Sequence, residues 1–145
     1  MPRDFSEIYL YNFEDLKLGQ TAAISRTVSE ADILAFAGVS GDMNPVHLDE
    51  EFAVSTMFKS RIAHGMLSVS YISTVLGTKL PGPGAIYLSQ SVRFKAPVHI
   101  GDTVVTRATV TALEPDKRHV TLSTVCMVGD TKVTTGEAHI MLPKH

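Results

Sequence analysis

Apolar and polar positions follow two rhythms along this chain, and the change between them falls near residue 84. Before it the spacing is helical, interrupted by polar loops. Ile33, Leu34, Phe36 and Ala37 form one apolar face, which predicts a helix from Ser29 to about Gly38. Ser29 suits its N-cap and Asp32 the N3 position, although Asp replaces the usual Glu or Gln of a capping box. A polar loop over 40–47 and a short helix over 50–58 come next. The strongest helix signal covers 64–78, where Met66, Leu67, Val69, Ser70, Ile72, Ser73, Val75 and Leu76 place apolar or small residues on nearly every side. No charge occurs there before Lys79, so the pattern predicts a helix buried all round. At 1.5 Å per residue it is about 22 Å long, and Pro81-Gly82-Pro83-Gly84 ends it.

After residue 84 the chain is rich in Val, Thr and Ile, and predicts strands over 85–96, 103–114, 118–128 and 131–142. A further strand is expected near 20–28. Glu114-Pro115-Asp116-Lys117 and Gly129-Asp130 read as hairpin turns, which makes the sheet antiparallel. The expected fold class is α+β: an antiparallel sheet wrapped around a long central helix, in one domain over 1–145 with 1–15 as a peripheral segment. One sheet of this size leaves a face or edge open, so a dimer is expected.

Composition narrows the possibilities. A chain of 145 residues that is 44% hydrophobic and 19% charged can fold around its own core. A net charge of −2 and the lack of a basic stripe argue against nucleic-acid binding. No apolar run reaches the roughly 20 residues of a membrane span, and the start of the chain lacks the apolar segment of a signal peptide. A cytoplasmic location is therefore expected. Cys126, the single cysteine, lies in an alternating apolar run and is expected in the core. Met57, Met66, Met127 and Met141 read as fillers of core gaps.

Candidate chemistry concentrates in 40–47. Gly41 allows a bend, Pro45 restricts itself and Asn44, and Asn44 can close an Asx-turn. The outcome is a stiff loop presenting Asp42 and His47. With reference pKa values of about 3.9 and 6.5, the two suit the transfer of a proton from one partner to another. The same residue types also build ordinary turns, so on these residues alone both readings stand. His64 is expected to cap or pack at the start of the long helix. Asp42, His47 and His64 could in principle gather a metal, but none is expected because a catalytic zinc site needs three well-placed ligands. His99, His119, His139 and His145 read as incidental.

Phe36-Ala37-Gly38-Val39-Ser40-Gly41-Asp42-Met43-Asn44-Pro45-Val46-His47-Leu48-Asp49 resembles the hydratase-2 motif of the MaoC-like (R)-specific enoyl-CoA hydratases. Ile62-Ala63-His64-Gly65-Met66-Leu67 resembles the start of that family's central helix. Val92-Arg93-Phe94-Lys95-Ala96-Pro97-Val98 and Gly101-Asp102 resemble its first sheet strands. The likeness runs from about Leu16 to Leu142. It implies the hot-dog fold, a homodimer, and reversible hydration of trans-2-enoyl-CoA to (3R)-3-hydroxyacyl-CoA. It also implies roles such as polyhydroxyalkanoate monomer supply, β-oxidation or fatty-acid metabolism. Asp42 and His47 become the catalytic pair: Asp42 orients and deprotonates a water, and His47 binds it and helps deliver a proton to C2, with the division of labour shared or reversed.

Asn44 falls in the same motif as a substrate-binding residue, and Ser73 and Leu76 fall where the family's helix lines the acyl pocket, although both read equally well as core residues of that helix. Gly65 carries a physical reason as well. Unpaired N–H groups at a helix N-terminus suit the oxyanion of an enolate, and glycine permits close approach. No cofactor is implied, because coenzyme A is part of the acyl thioester substrate. Lys59, Arg61, Arg93 and Lys95 could meet its phosphates or serve simply as solvated charges. Three alternatives stay open: dehydration of 3-hydroxyacyl-(acyl carrier protein), thioester hydrolysis on the same fold, and a non-catalytic acyl-binding subunit.

Overall fold

An uncharged helix must be covered, and five strands provide the cover. The computed structural model describes residues 2–145. Helix α1 spans Glu30–Ser40, α2 Pro45–Leu48, α3 Glu50–Val54 and α4 Gly65–Thr78. Strand β1 spans Thr21–Thr27, β2 Ile86–Phe94, β3 Thr103–Glu114, β4 His119–Val128 and β5 Thr131–Met141. The strands pair in the order β1-β3-β4-β5-β2, and every pairing is antiparallel. The sheet curls around α4, which packs on β1, β3, β4 and β5. This is the wrapped-helix arrangement that the sequence pattern predicts, and the hot-dog fold that the family resemblance implies.

Alternation explains the inner surface. Val104, Thr106, Ala108 and Val110 of β3 face inward, and so do Val120, Leu122, Thr124 and Cys126 of β4. Register brings Thr106 opposite Cys126 and Val110 opposite Leu122, so one face of the sheet is continuous. Against it lie Leu67, Tyr71, Ile72, Val75 and Leu76 of α4. Cys126 is fully buried, as expected, and receives a hydrogen bond from the Thr106 hydroxyl at 3.4 Å.

Several local features depart from the sequence pattern. Helix α4 is not buried all round: Met66, Ser70, Ser73, Thr74 and Gly77 are exposed in the single chain. A curled sheet covers only part of a helix circumference, and the face left open carries mostly small residues rather than charges. Leu34, placed on the apolar face of α1, is 53% exposed, while Ile33 and Ala37 turn inward. Helix α3 ends at Val54 rather than near Phe58. The Ser55 and Thr56 hydroxyls donate to the Phe52 and Ala53 carbonyls, each at 2.6 Å, and so satisfy the last turn locally. The N-terminal segment is not wholly peripheral. Within 1–15, Phe13 enters the core, and Arg118 lies over the Phe13 ring and bonds Glu14. Among the described residues no helix is long and apolar enough to cross a membrane.

The β2–β5 pairing depends on one glycine. Gly136 pairs with Val92, and a Cβ on it would lie 1.9 Å from the Ser91 carbonyl oxygen. Because the clash is with backbone, the edge strand itself would have to shift. Gly136→Ala should therefore destabilise the fold by about 1–3 kcal/mol or more, measured by denaturant unfolding. A midpoint unchanged from the parent protein would refute the close β2–β5 approach.

Candidate active site

The local sequence sets two side chains side by side at the end of α1. Ser29 accepts from the Asp32 amide at 3.1 Å, and Asp32 accepts from the Ser29 amide at 3.0 Å, the reciprocal box that the sequence suggested. The helix continues to Ser40 and stops at Gly41, whose φ of 75° turns the chain. Asp42 follows at once. Asn44 Oδ1 accepts from the Val46 amide at 3.1 Å, and Pro45 takes the first helical position. Pro at that position and Asn at the cap together start a helix. His47 thus stands on the short helix α2, not on a loop. Asn44 spends its side-chain oxygen on this cap, and that is the role the structure gives it.

Main-chain carbonyls then fix the two imidazoles. His47, 8% exposed, has its Nδ1 2.8 Å from the Ile62 carbonyl oxygen. A carbonyl only accepts, so Nδ1 carries the hydrogen and neutral His47 keeps a lone pair on Nε2. His64, the N-cap of α4, donates from Nε2 to the Asp42 carbonyl at 2.9 Å. The His47 and His64 rings stack with centroids 3.8 Å apart and planes 26° apart. Burial pushes the His47 imidazole below its ordinary value. The Ile62 carbonyl pulls it up, His64 pushes it down, and the Asp42 carboxylate pulls it up. The outcome is a neutral base at pH 7.

Asp42 closes the group. Its carboxylate and one ring nitrogen from each histidine all lie within 4.8 Å of one another. A water at about 2.8 Å from two acceptors spans roughly 4.6 Å between them, so Asp42 and His47 are close enough to share one. The same three residues are the one candidate metal group among the described residues. Their geometry suits an ion poorly. Ring lone pairs lie in the ring planes, and planes only 26° apart at 3.8 Å do not converge at a metal–nitrogen distance of about 2.0–2.1 Å.

An open cleft of about 430 Å³ runs beside His47, His64 and Gly65. Its walls include Met57, Phe58, Met66, Phe94 and Val98. Asp42 stands outside these walls, reaching toward the two rings. Gly65 begins α4 at the cleft surface, and a Cβ on it would meet the Phe94 ring at 2.8 Å. The missing side chain thus serves both Phe94 packing and access to the helix N-terminus.

Ser73 and Leu76 do not line this cleft. Ser73 lies on the open face of α4, and Leu76 is 1% exposed in the core, because the two sit on different sides of one helix. Met57 and Met66, expected as core fillers, are 84% and 54% exposed and border the cleft instead. Arg61 is no solvated surface charge either. Its side chain is 14% exposed, pairs with Glu30 at 2.8 Å and donates to the His47 carbonyl at 2.6 Å. Neither Arg61 nor Phe94 carries a spacing signal in the sequence. Their partners lie 14 and 31 residues away for Arg61, and 29 away for Phe94.

The buried His47 makes a pH test. Its folded-state pKa lies below the unfolded value, so the unfolded chain takes up the proton first as pH falls. The parent protein should therefore lose stability relative to His47→Gln below about pH 6.5. Thermal unfolding of both across pH checks this, and a constant difference would count against it.

Comparison with known proteins agrees with the fold. Residues 15–137 match the MaoC like domain. The chain is 56% identical over 137 residues to an (R)-specific enoyl-CoA hydratase of Rhodospirillum rubrum, covering 94% of this chain and 95% of that protein. It is 47% identical over 138 residues to a 3-hydroxybutyryl-CoA dehydratase of Methylorubrum extorquens, covering 95% and 88%. The structure superposes on the (R)-hydratase from A. caviae involved in PHA biosynthesis with a TM-score of 0.87 at 46% identity, covering 90% of this chain and 99% of that one. With its hot-dog sheet and a family match over residues 15–137, the chain belongs to the MaoC-like domain family.

Proposed function

We propose that this protein is an (R)-specific 2-enoyl-CoA hydratase, a hydro-lyase that interconverts trans-2-enoyl-CoA and (3R)-3-hydroxyacyl-CoA. The observation that carries this reading is the Asp42 carboxylate within water-sharing distance of a His47 ring nitrogen, beside a cleft that ends on the N-terminus of α4. Relatives named as hydratases and dehydratases, similar over nearly the whole chain, support the same chemistry.

The reaction needs one water and no cofactor. The water oxygen bonds to C3 as the C2=C3 π bond opens toward C2. The electron pair passes to the thioester oxygen, and the N–H groups at the start of α4, Gly65 first, meet that developing charge. One water proton leaves and C2 gains one, so the atoms balance. The tautomer of His47 favours one division of labour. Its neutral Nε2 can only accept, so it cannot donate before it has taken a proton. His47 therefore receives the water proton and returns it to C2, while Asp42 holds the water and stabilises the imidazolium. Both transfers then occur on one face of the substrate.

The wall of Met57, Phe58, Met66 and Phe94 suits an acyl chain. A homodimer fits the open edge of the sheet. Strand β2 pairs only with β5, and Ile86, Tyr87, Leu88 and Phe94 on it are 44%, 38%, 46% and 54% exposed, surface that a second copy would bury. Light scattering should give twice the chain mass.

With purified protein and trans-2-enoyl-CoA, the enoyl absorbance should fall without thiol release, and the product should be the (3R) alcohol. Asp42→Asn and His47→Gln should each lower kcat by about 10²–10⁴-fold. Thiol release faster than hydration would instead identify a thioesterase. A higher kcat/KM on the acyl carrier protein form would identify the carrier-protein dehydratase. Unchanged hydration by both variants would overturn the assigned pair.

A further inference from the structure

His64 takes no part in the proton transfers above, yet it touches both residues of the pair. The ring is 2% exposed. On one side its Nε2–H reaches the main-chain oxygen of Asp42 at 2.9 Å. On its face it stacks against His47 at 3.8 Å, and Phe36 of α1 packs against it at 4.8 Å. Its Nδ1 is buried and has no hydrogen-bond partner.

That last feature distinguishes His64 from a packing residue. An unpaired buried nitrogen carries a desolvation cost that a phenylalanine at the same place would avoid. The donor at Nε2 is what the imidazole offers in exchange. It fastens a segment that has little else to hold it. Asp42 is exposed and follows the left-handed Gly41, where α1 has already ended. Other contacts on the residue are local: its amide donates to Ser40 Oγ at 3.1 Å, and its Oδ1 accepts from the Asn44 amide at 3.2 Å. The His64 bond is the tie from Asp42 to the central helix, 22 residues away.

We propose that His64 is the positioning residue of this site, holding the Asp42 main chain and the His47 ring at the separation that one water can bridge. The proposal rests on the hydratase reading. A second effect follows from the stacking. Two imidazoles in contact oppose a second positive charge, so His64 helps keep His47 unprotonated. The other charged groups around His47 are Asp42, Arg61 at its carbonyl, and Lys95 across the cleft.

Two substitutions separate the donor from the ring. His64→Gln keeps an N–H at nearly the reach of Nε2 and loses the stack. His64→Phe keeps the stack and loses the donor. His64→Phe should lower kcat by about 10–100-fold with little change in KM, as expected for a misplaced catalytic group, while His64→Gln keeps most of it. In both, the acid limb of kcat/KM should move to higher pH, and the His47 ring titration followed by NMR should move the same way without turnover. Wild-type kcat in His64→Phe, or equal losses in the Gln and Phe variants, would overturn the proposal. If His64→Phe does not fold, His64→Asn replaces it, because Asn falls short of the Asp42 carbonyl. Asn and Gln behaving alike would then refute the role. Should the parent protein hydrate no enoyl thioester, the functional reading fails. The His47 titration then decides the positioning role, and an unmoved titration in both variants refutes it.

Discussion

Helix α4 cannot stand in water unaided. Over Gly65–Thr78 it has no charged side chain, and its buried face of Leu67, Tyr71, Ile72, Val75 and Leu76 must be covered. A flat sheet covers one stripe of a helix. A strongly curled one covers more, and the alternating inner residues of β3, β4 and β5 supply that surface. Once the helix is enclosed, its N-terminus has a fixed position near the chain segments entering and leaving the sheet. The unpaired amides there meet the end of α1 on one side and the strand end at Phe94 on the other. The candidate site is thus placed by the burial of a helix, and its polar groups are added at the N-terminus of that helix.

Main-chain carbonyls do the finer positioning. Ile62 fixes the tautomer of His47, Asp42 fixes that of His64, and Arg61 holds the His47 carbonyl while paired to Glu30. Ile62 itself is tied to α2 through the Val46 carbonyl and to the segment at His99 by an antiparallel bridge. The site is therefore a junction of four pieces of chain, each held by backbone groups. This has a chemical consequence. A histidine whose Nδ1 is committed to a carbonyl presents a base at Nε2, and burial keeps that base neutral. Hydration requires such a group near a carboxylate, together with donors for the enolate oxygen.

The open surface has its own logic. Exposed Ser70, Ser73, Thr74 and Gly77 on α4, and the apolar edge of β2, are unlike the charged exterior at the hairpin turns. Small residues on an otherwise apolar helix keep close approach by a covering element available, and an unpaired strand edge invites another strand. Both features fit a chain whose functional unit is larger than one copy, as the proposed dimer requires.

The sequence by itself determined the elements and much of the chemistry. The period changes near residue 84 because strands replace helices there, and turn residues marked most boundaries to within one or two positions. Capping by Ser29 and Asp32, the bend at Gly41 and the Asn44 turn were legible because their partners lie within four residues. Asp42 and His47, five residues apart, were legible as neighbours, and the family resemblance is what set them apart from an ordinary turn. Only the tertiary structure decided that β2 pairs with β5 at the far edge, since strand order depends on which surfaces meet. It also decided that Ser73 and Leu76 leave the cleft while Met57, Met66 and Phe94 line it, because helix rotation is set by the sheet's curl. His64 and Arg61 show the limit most clearly. Each acts on a backbone carbonyl 22 or 14 residues away, and a carbonyl is common to every residue, so no pattern of side chains announces it.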